Sequence, residues 1–167
     1  MKKTGSLLGI IAIALVAGAL SFEAFAASNA KQEITNLEHK CIAATSTEQD
    51  AALGCFDEND IVLYDFVPPL EYSGAKAVRG DLDNFFNNAK NVKGEFLELQ
   101  VVTDGKLGVA RSIQHFTWTS KDGKPMEGTF RVTDVLHKTE GKWKIFHTHV
   151  SVPVDPNTGK AEMNLKS

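Results

Sequence analysis

Four extended segments fill the second half of this chain, and the short turns between them limit the possible folds more than any other feature. "EFLELQVVT", "LGVARSIQHFTWTS", "EGTFRVTDVLHK" and "KWKIFHTHVSVP" are rich in β-branched and aromatic residues, and Asp104-Gly105-Lys106, Lys121 to Lys124 and Thr139 to Lys142 join them. Glycine-bearing turns this short force consecutive strands into an antiparallel meander. Upstream the spacing is helical. "SNAKQEITNLEHKCIAA", Ser28 to Ala44, puts Ile34, Leu37, Cys41 and Ala44 on one stripe, with Ser28 or Asn29 available as N-cap. "STEQDAALGCF" predicts a second, short helix that turns Ala52, Cys55 and Phe56 inward. "DIVLYDFVPP" reads as a strand stopped by Pro68 and Pro69, and "GAKAVRGDLDNFFNNA" as a further helix with Ala77, Val78, Leu82, Phe85 and Phe86 on its apolar side. Helices first and a long meander last make an α+β pattern.

The N-terminus stands apart from this. Lys2 and Lys3 precede the uncharged run "LLGIIAIALVAGAL", which leads to the Ala24-Phe25-Ala26 site. That is the pattern of a secretory signal peptide, residues 1–26, and it predicts cleavage after Ala26 and a periplasmic or secreted product with no membrane attachment. An uncleaved anchor is the alternative. Of 167 residues, 141 remain, enough for one domain with a real core. We expect that domain over 27–155, followed by a loosely held polar tail, 156–167. Losing Lys2, Lys3 and Glu23 takes the formal charge from −3 to −4, and the remaining cations are scattered among acids, so no nucleic-acid footprint is present. Cys41 and Cys55 are the only cysteines. In an oxidising compartment a disulfide between two antiparallel helices is expected; two buried free thiols are the other reading.

The order helix, helix, strand, helix, meander, with "LYDFVPPLEYSGAKAVR" in the middle and "RVTDVLHKTEGKWKIFHTHVSVP" at the end, resembles the SnoaL-like, nuclear-transport-factor-like superfamily. That group includes ketosteroid isomerase and the association domain of calmodulin-dependent kinase. The resemblance implies a cone-shaped, cystatin-like α+β barrel: a curved antiparallel sheet wrapped around N-terminal helices, with a pocket inside and an outer sheet face often used for dimerisation. It does not settle function, because this fold carries enzymes, binders and scaffolds alike.

Register decides which residues face the pocket. A three-residue loop at Thr139 to Gly141 sets His137 opposite Trp143. Phe130, Val132, Asp134, Leu136, Phe146, Thr148 and Val150 then face the interior. Arg131, Thr133, Val135, His137, Trp143, Ile145, His147 and His149 face outward, where Trp143, His147 and His149 would form a homodimer interface; a two-residue loop would shift the pairing by one. A metal at His147 and His149 needs further ligands from His115 or His137, which nothing in the pattern brings close, so no metal is expected. On the preceding strand, either Arg111, Ile113 and His115 or Ser112, Gln114, Phe116 and Trp118 look inward.

Two carboxylates are candidates for chemistry. Asp65 ends an apolar strand, and the resemblance places it near the general base of the isomerases; Asp134 lies close to their second, protonated aspartic acid. The tyrosine those enzymes present from the first helix is absent, since the matching region reads "LEHKCIA", with His39 or Lys40 nearest. Structural roles compete: Asp65 with backbone amides of the proline turn, and Asp134 with Arg111, if Asp122-Gly123 is a two-residue turn. No cofactor motif is present.

The reading that follows is a domain binding a small, largely apolar ligand through Phe130, Phe146, Thr148, Val150 and Trp118, with Asp65 and Asp134 as polar anchors. A proton-transfer isomerase or cyclase using Asp65 as base is one alternative. A homo-oligomeric association module without catalysis, its cone filled by side chains, is the other.

Overall fold

The computed structural model describes residues 27–47 and 49–165; the expected signal peptide, 1–26, lies outside them. Helix α1 (27–44) is followed by α2 (Gln49–Leu53), β1 (Val62–Tyr64), β2 (Tyr72–Ser73), α3 (Ala75–Asn88) and the meander β3 (Ala89–Thr103), β4 (Leu107–Ser120), β5 (Pro125–Thr139) and β6 (Lys142–Ser151). These strands form one six-stranded sheet in the order β2-β1-β6-β5-β4-β3. Every neighbouring pair is antiparallel except β1 with β6. The architecture is α+β, a curved, unclosed sheet with helices on its concave face. Among the described residues no helix is long and apolar enough to cross a membrane.

The curvature comes from irregularities in the long strands. β3 slips register between Lys90 and Lys93, where Asn91 takes φ 54°, and again between Phe96 and Glu98. An extra residue on one strand bends and twists it locally, so the sheet wraps instead of running flat. Helix α1 settles into the concavity with Ala30 and Ile34 buried against Val101, Ala110, Leu136, Trp143 and Ile145, while α3 contributes Val78. Gly108 permits this approach: a Cβ there would collide with the Ile34 side chain. Since α1 is already helical at 27, neither Ser28 nor Asn29 caps it, and the Asn29 amide instead donates to Glu33 at 3.0 Å.

A disulfide joins Cys41 on α1 to Cys55, with the Cα atoms 6.0 Å apart. Cys55 lies just past the end of α2 and not on a second long helix. Its neighbour Phe56 bridges to Ile145 of β6, so the bond ties α1 to a segment that is itself fastened to the sheet.

Both hairpin registers differ from the expected ones. The β5–β6 loop has two residues, Glu140 and Gly141, both at positive φ, and pairs Lys138 with Trp143. A bulge then leaves Phe146 without a partner, between the pairs Leu136–Ile145 and Val135–His147. Trp143 and Ile145 are therefore buried in the core, and Trp143 donates from Nε1 to Glu33 at 2.9 Å instead of serving an outer interface. Phe146 is turned outward and stacks on His137 at 4.5 Å, away from the interior. At the other hairpin, Asp134 pairs with Ala110 and Arg111 with Thr133. Arg111 consequently sits on the opposite face from Asp134 and bonds Gln100. The set Ser112, Gln114, Phe116 and Trp118 looks inward.

The segment expected to be a loose tail turns at Asp155, bridges Val154 to Ala161, and accepts the Thr129 N–H at the Met163 carbonyl, 2.7 Å away.

Candidate functional site

The concave face of the sheet, α1 and α3 enclose a cavity of about 410 Å³. Seven of the eight phenylalanines among the described residues line it, Phe146 being the exception. Alternation explains the lining. On β4 and β5 every second residue points inward, which stacks Asp134 beside Ala110, Val132 beside Ser112, Phe130 beside Gln114, and Gly128 beside Phe116, with Trp118 farthest out. β6 adds Thr148 opposite Asp134 and Val150 opposite Val132. The apolar side of α3 supplies Leu82, Phe85 and Phe86.

Asp134 stands at one end of this row, 4% exposed. The Thr148 hydroxyl donates to its Oδ1 at 2.6 Å. Its other partner is Glu38 of α1, 3% exposed, whose carboxyl is hydrogen-bonded to it. Two carboxyls can share a hydrogen bond only by holding a proton between them. Burial, then the adjacent Asp134, pushes the Glu38 carboxyl far above the usual range. Burial also raises Asp134, though Thr148 and Glu38 donate to it and favour its charged form. The pair therefore holds a proton between its two carboxyls, and the Thr148 hydroxyl favours negative charge on the Asp134 side. Glu38 lines the cavity, and its Oε1 is fully buried with no N–H or O–H donor from the surrounding chain.

Sequence reasoning passed over Glu38 in favour of His39 and Lys40, which both face solvent. One signal could have found it: Glu38 lies four residues after Ile34 and three before Cys41, on the inward stripe itself.

Asp65 lines another part of the cavity together with Asp81 of α3. Its Oδ1 accepts the Phe66 N–H at 2.7 Å. Burial pushes its pKa up to about 6, opposed by the Phe66 bond and assisted by the charge of Asp81. Burial likewise raises Asp81, which the Tyr72 hydroxyl partly offsets.

Of the residues expected at the site, Asp65, Asp134, Phe130, Thr148, Val150 and Trp118 line this cavity and Phe146 does not. The histidines are dispersed. His147 donates from Nδ1 to the Val62 carbonyl at 3.0 Å, and His149 is exposed on the outer face beside Tyr64. His137 bonds Asp57 at 2.7 Å. Thr139 and His137 together hold the Asp57 carboxyl down at about 2, pinning the 55–61 segment to β5.

Several solved structures share this fold. An NTF2-like protein from Pseudomonas putida superimposes with a TM-score of 0.74 at 24% identity, over 84% of this chain and 98% of its own. A nuclear transport factor 2 (NTF2-like) superfamily protein from Salmonella enterica serovar Typhimurium gives 0.71 at 20% identity, over 81% and 99%. A ketosteroid isomerase-like protein from Erwinia carotovora atroseptica gives 0.63 at 19% identity, over 72% and 94%. No curated protein matches the sequence. The model of the SnoaL-like domain, however, matches residues 34–155, a stretch containing every residue that lines the cavity. The chain belongs to the SnoaL-like domain family.

Proposed function

We propose that this chain is an exported small-molecule-binding domain whose cavity takes a small, largely apolar ligand. The observation that carries this reading is the cavity itself: about 410 Å³ of space behind a phenylalanine-rich wall, with a few carboxyls at defined places. Binding sites for small organic molecules have this composition, whereas a module that only associates has no need to keep its interior open. Export is supported by the pattern of the first 26 residues and by the disulfide. Val132→Phe tests the binding reading, because a phenyl ring at the centre of the inner row fills the space. In a Trp143→Phe background, Trp118 is the only tryptophan and reports occupancy by fluorescence. Hydrophobic probes should change Trp118 emission and raise the melting temperature, and Val132→Phe should abolish both effects while the circular dichroism spectrum stays unchanged. Probes that leave Trp118 and the melting temperature untouched would overturn the reading.

A second reading, proton transfer with Asp65 as general base, is favoured by that residue's position on the cavity wall and its pKa near 6. A base so tuned works at neutral pH. Turnover should then rise with pH through about 6 as Asp65 ionises, and Asp65→Asn should abolish it while binding and fold persist. An unchanged rate in that variant would dismiss Asp65 as the base.

A further inference from the structure

On β5 the residues Gly128, Phe130, Val132 and Asp134 face inward, and Gly128 is buried although it has no side chain. What covers it comes from the far end of the chain. The last residue of β6 is Ser151, paired with Arg131, and beyond it the C-terminal segment takes the place beside β5. The backbone reverses between Asp155 and Lys160, where the Asp155 N–H donates to the Lys160 carbonyl at 2.9 Å. Glu162 then donates to the Pro153 carbonyl at 2.8 Å, and the Thr129 N–H to the Met163 carbonyl at 2.7 Å. From Pro156 to Leu165 every residue is exposed except Met163. Its methyl group lies over Gly128: a Cβ at that glycine would be 3.1 Å from Met163 Cε and 2.8 Å from Phe130 Cζ. The two side chains therefore share the space that the glycine leaves open.

Phe130 is a wall of the cavity. Its ring centroid is 4.7 Å from that of Phe66, which also lines the cavity and is 40% exposed, and 6.1 Å from that of Phe116. The ring thus stands between the rim and Met163. We propose that Met163 is a positioning residue for the cavity: seated over Gly128, it keeps the Phe130 ring against Phe66 and so limits the length of ligand that the cavity accepts. Without the methionine side chain, the ring can turn into space above a residue that has no Cβ, and the cavity lengthens toward Gly128. This rests on the reading of the cavity as a small-molecule site and deepens it by naming what sets ligand length. It also makes the C-terminal segment part of that site.

The test uses uncharged probes that differ only in length, 4-phenylbutan-1-ol, 6-phenylhexan-1-ol and 8-phenyloctan-1-ol, titrated calorimetrically into the mature protein. Affinity should rise about fourfold for each methylene that the cavity buries and stop rising where the chain meets Phe130. Met163→Ala should let the rise continue, so that the ratio of 8-phenyloctan-1-ol to 4-phenylbutan-1-ol affinity increases about tenfold or more over the wild type. Met163→Leu, close to methionine in volume, should keep the wild-type ratio. A melting curve checks that each variant is folded. An unchanged ratio in Met163→Ala, whether or not the affinities themselves fall, overturns the positioning role and leaves the small-molecule reading standing. Failure of all three probes to bind the wild type overturns both.

Discussion

Burying one carboxyl against another penalises ionisation twice, through lost hydration and through the neighbour's charge. Glu38 bears both penalties. Its pKa is raised on folding, so from the ordinary glutamate range upward through neutrality the folded chain keeps a proton that the unfolded chain has released. Stability from this group is therefore fully present at low pH and is lost as pH rises. Glu38→Gln, neutral at every pH, should raise stability by about 1–3 kcal/mol near pH 8 and flatten the decline seen in the wild type between about pH 5 and pH 8. Thermal melts across that range check it, and parallel curves for the two proteins would mean that Glu38 is ionised in the folded state. Legibility at this scale was uneven. Asp65 and Asp134 were visible because a carboxylate interrupting an apolar strand is conspicuous. Glu38 was not, because a glutamate on a helix ordinarily faces water, and only its spacing from Ile34 and Cys41 shows otherwise.

At the scale of elements, the β5–β6 hairpin shows how a wrong loop can still place residues correctly. A three-residue loop without a bulge and the observed two-residue loop with one bulge differ by two positions beyond the bulge. Side chains alternate with period two, so Thr148, Val150, His147 and His149 fall on their expected faces. Between loop and bulge the difference is one position, and there Trp143 and Ile145 turn inward. The bulge residue Phe146 turns outward. No composition rule marks Phe146 as a bulge; its neighbours read as unbroken strand. The disulfide belongs to this scale too. It closes a separation of 14 residues and fastens the helix carrying Glu38 to the segment beside β6. Reduction, or a Cys41→Ser, Cys55→Ser double variant, should cost about 3 kcal/mol in urea unfolding. An unchanged midpoint would show that the unfolded chain is already constrained without the bond.

For the whole molecule, the α+β class was legible because strand periodicity and glycine turns are local signals, whereas a pocket was expected only through the family resemblance and its volume was not legible, since that depends on how far β3 bends. The outer face of the sheet carries a row from Gln100 through Arg111, Thr133 and His149 to Tyr64. Tyr64 lies edge-on to both His147 and His149 and is 39% exposed. If a second copy covers this row, His149→Glu should convert a dimer to a monomer in light scattering after size exclusion; a monomeric wild type would remove the association reading altogether. The bond from Trp143 to Glu33 joins residues 110 positions apart, and Glu38 meets Asp134 across a similar span. The floor of the cavity is thus made by the first helix and its opposite wall by the last two strands. A chain still missing its final strand has no Thr148, Val150 or Trp143, and so lacks a completed cavity and one of the contacts that hold α1. If the cavity takes a ligand as proposed, a chain without its last strand should not bind it, and occupancy would report on the integrity of the chain through β6.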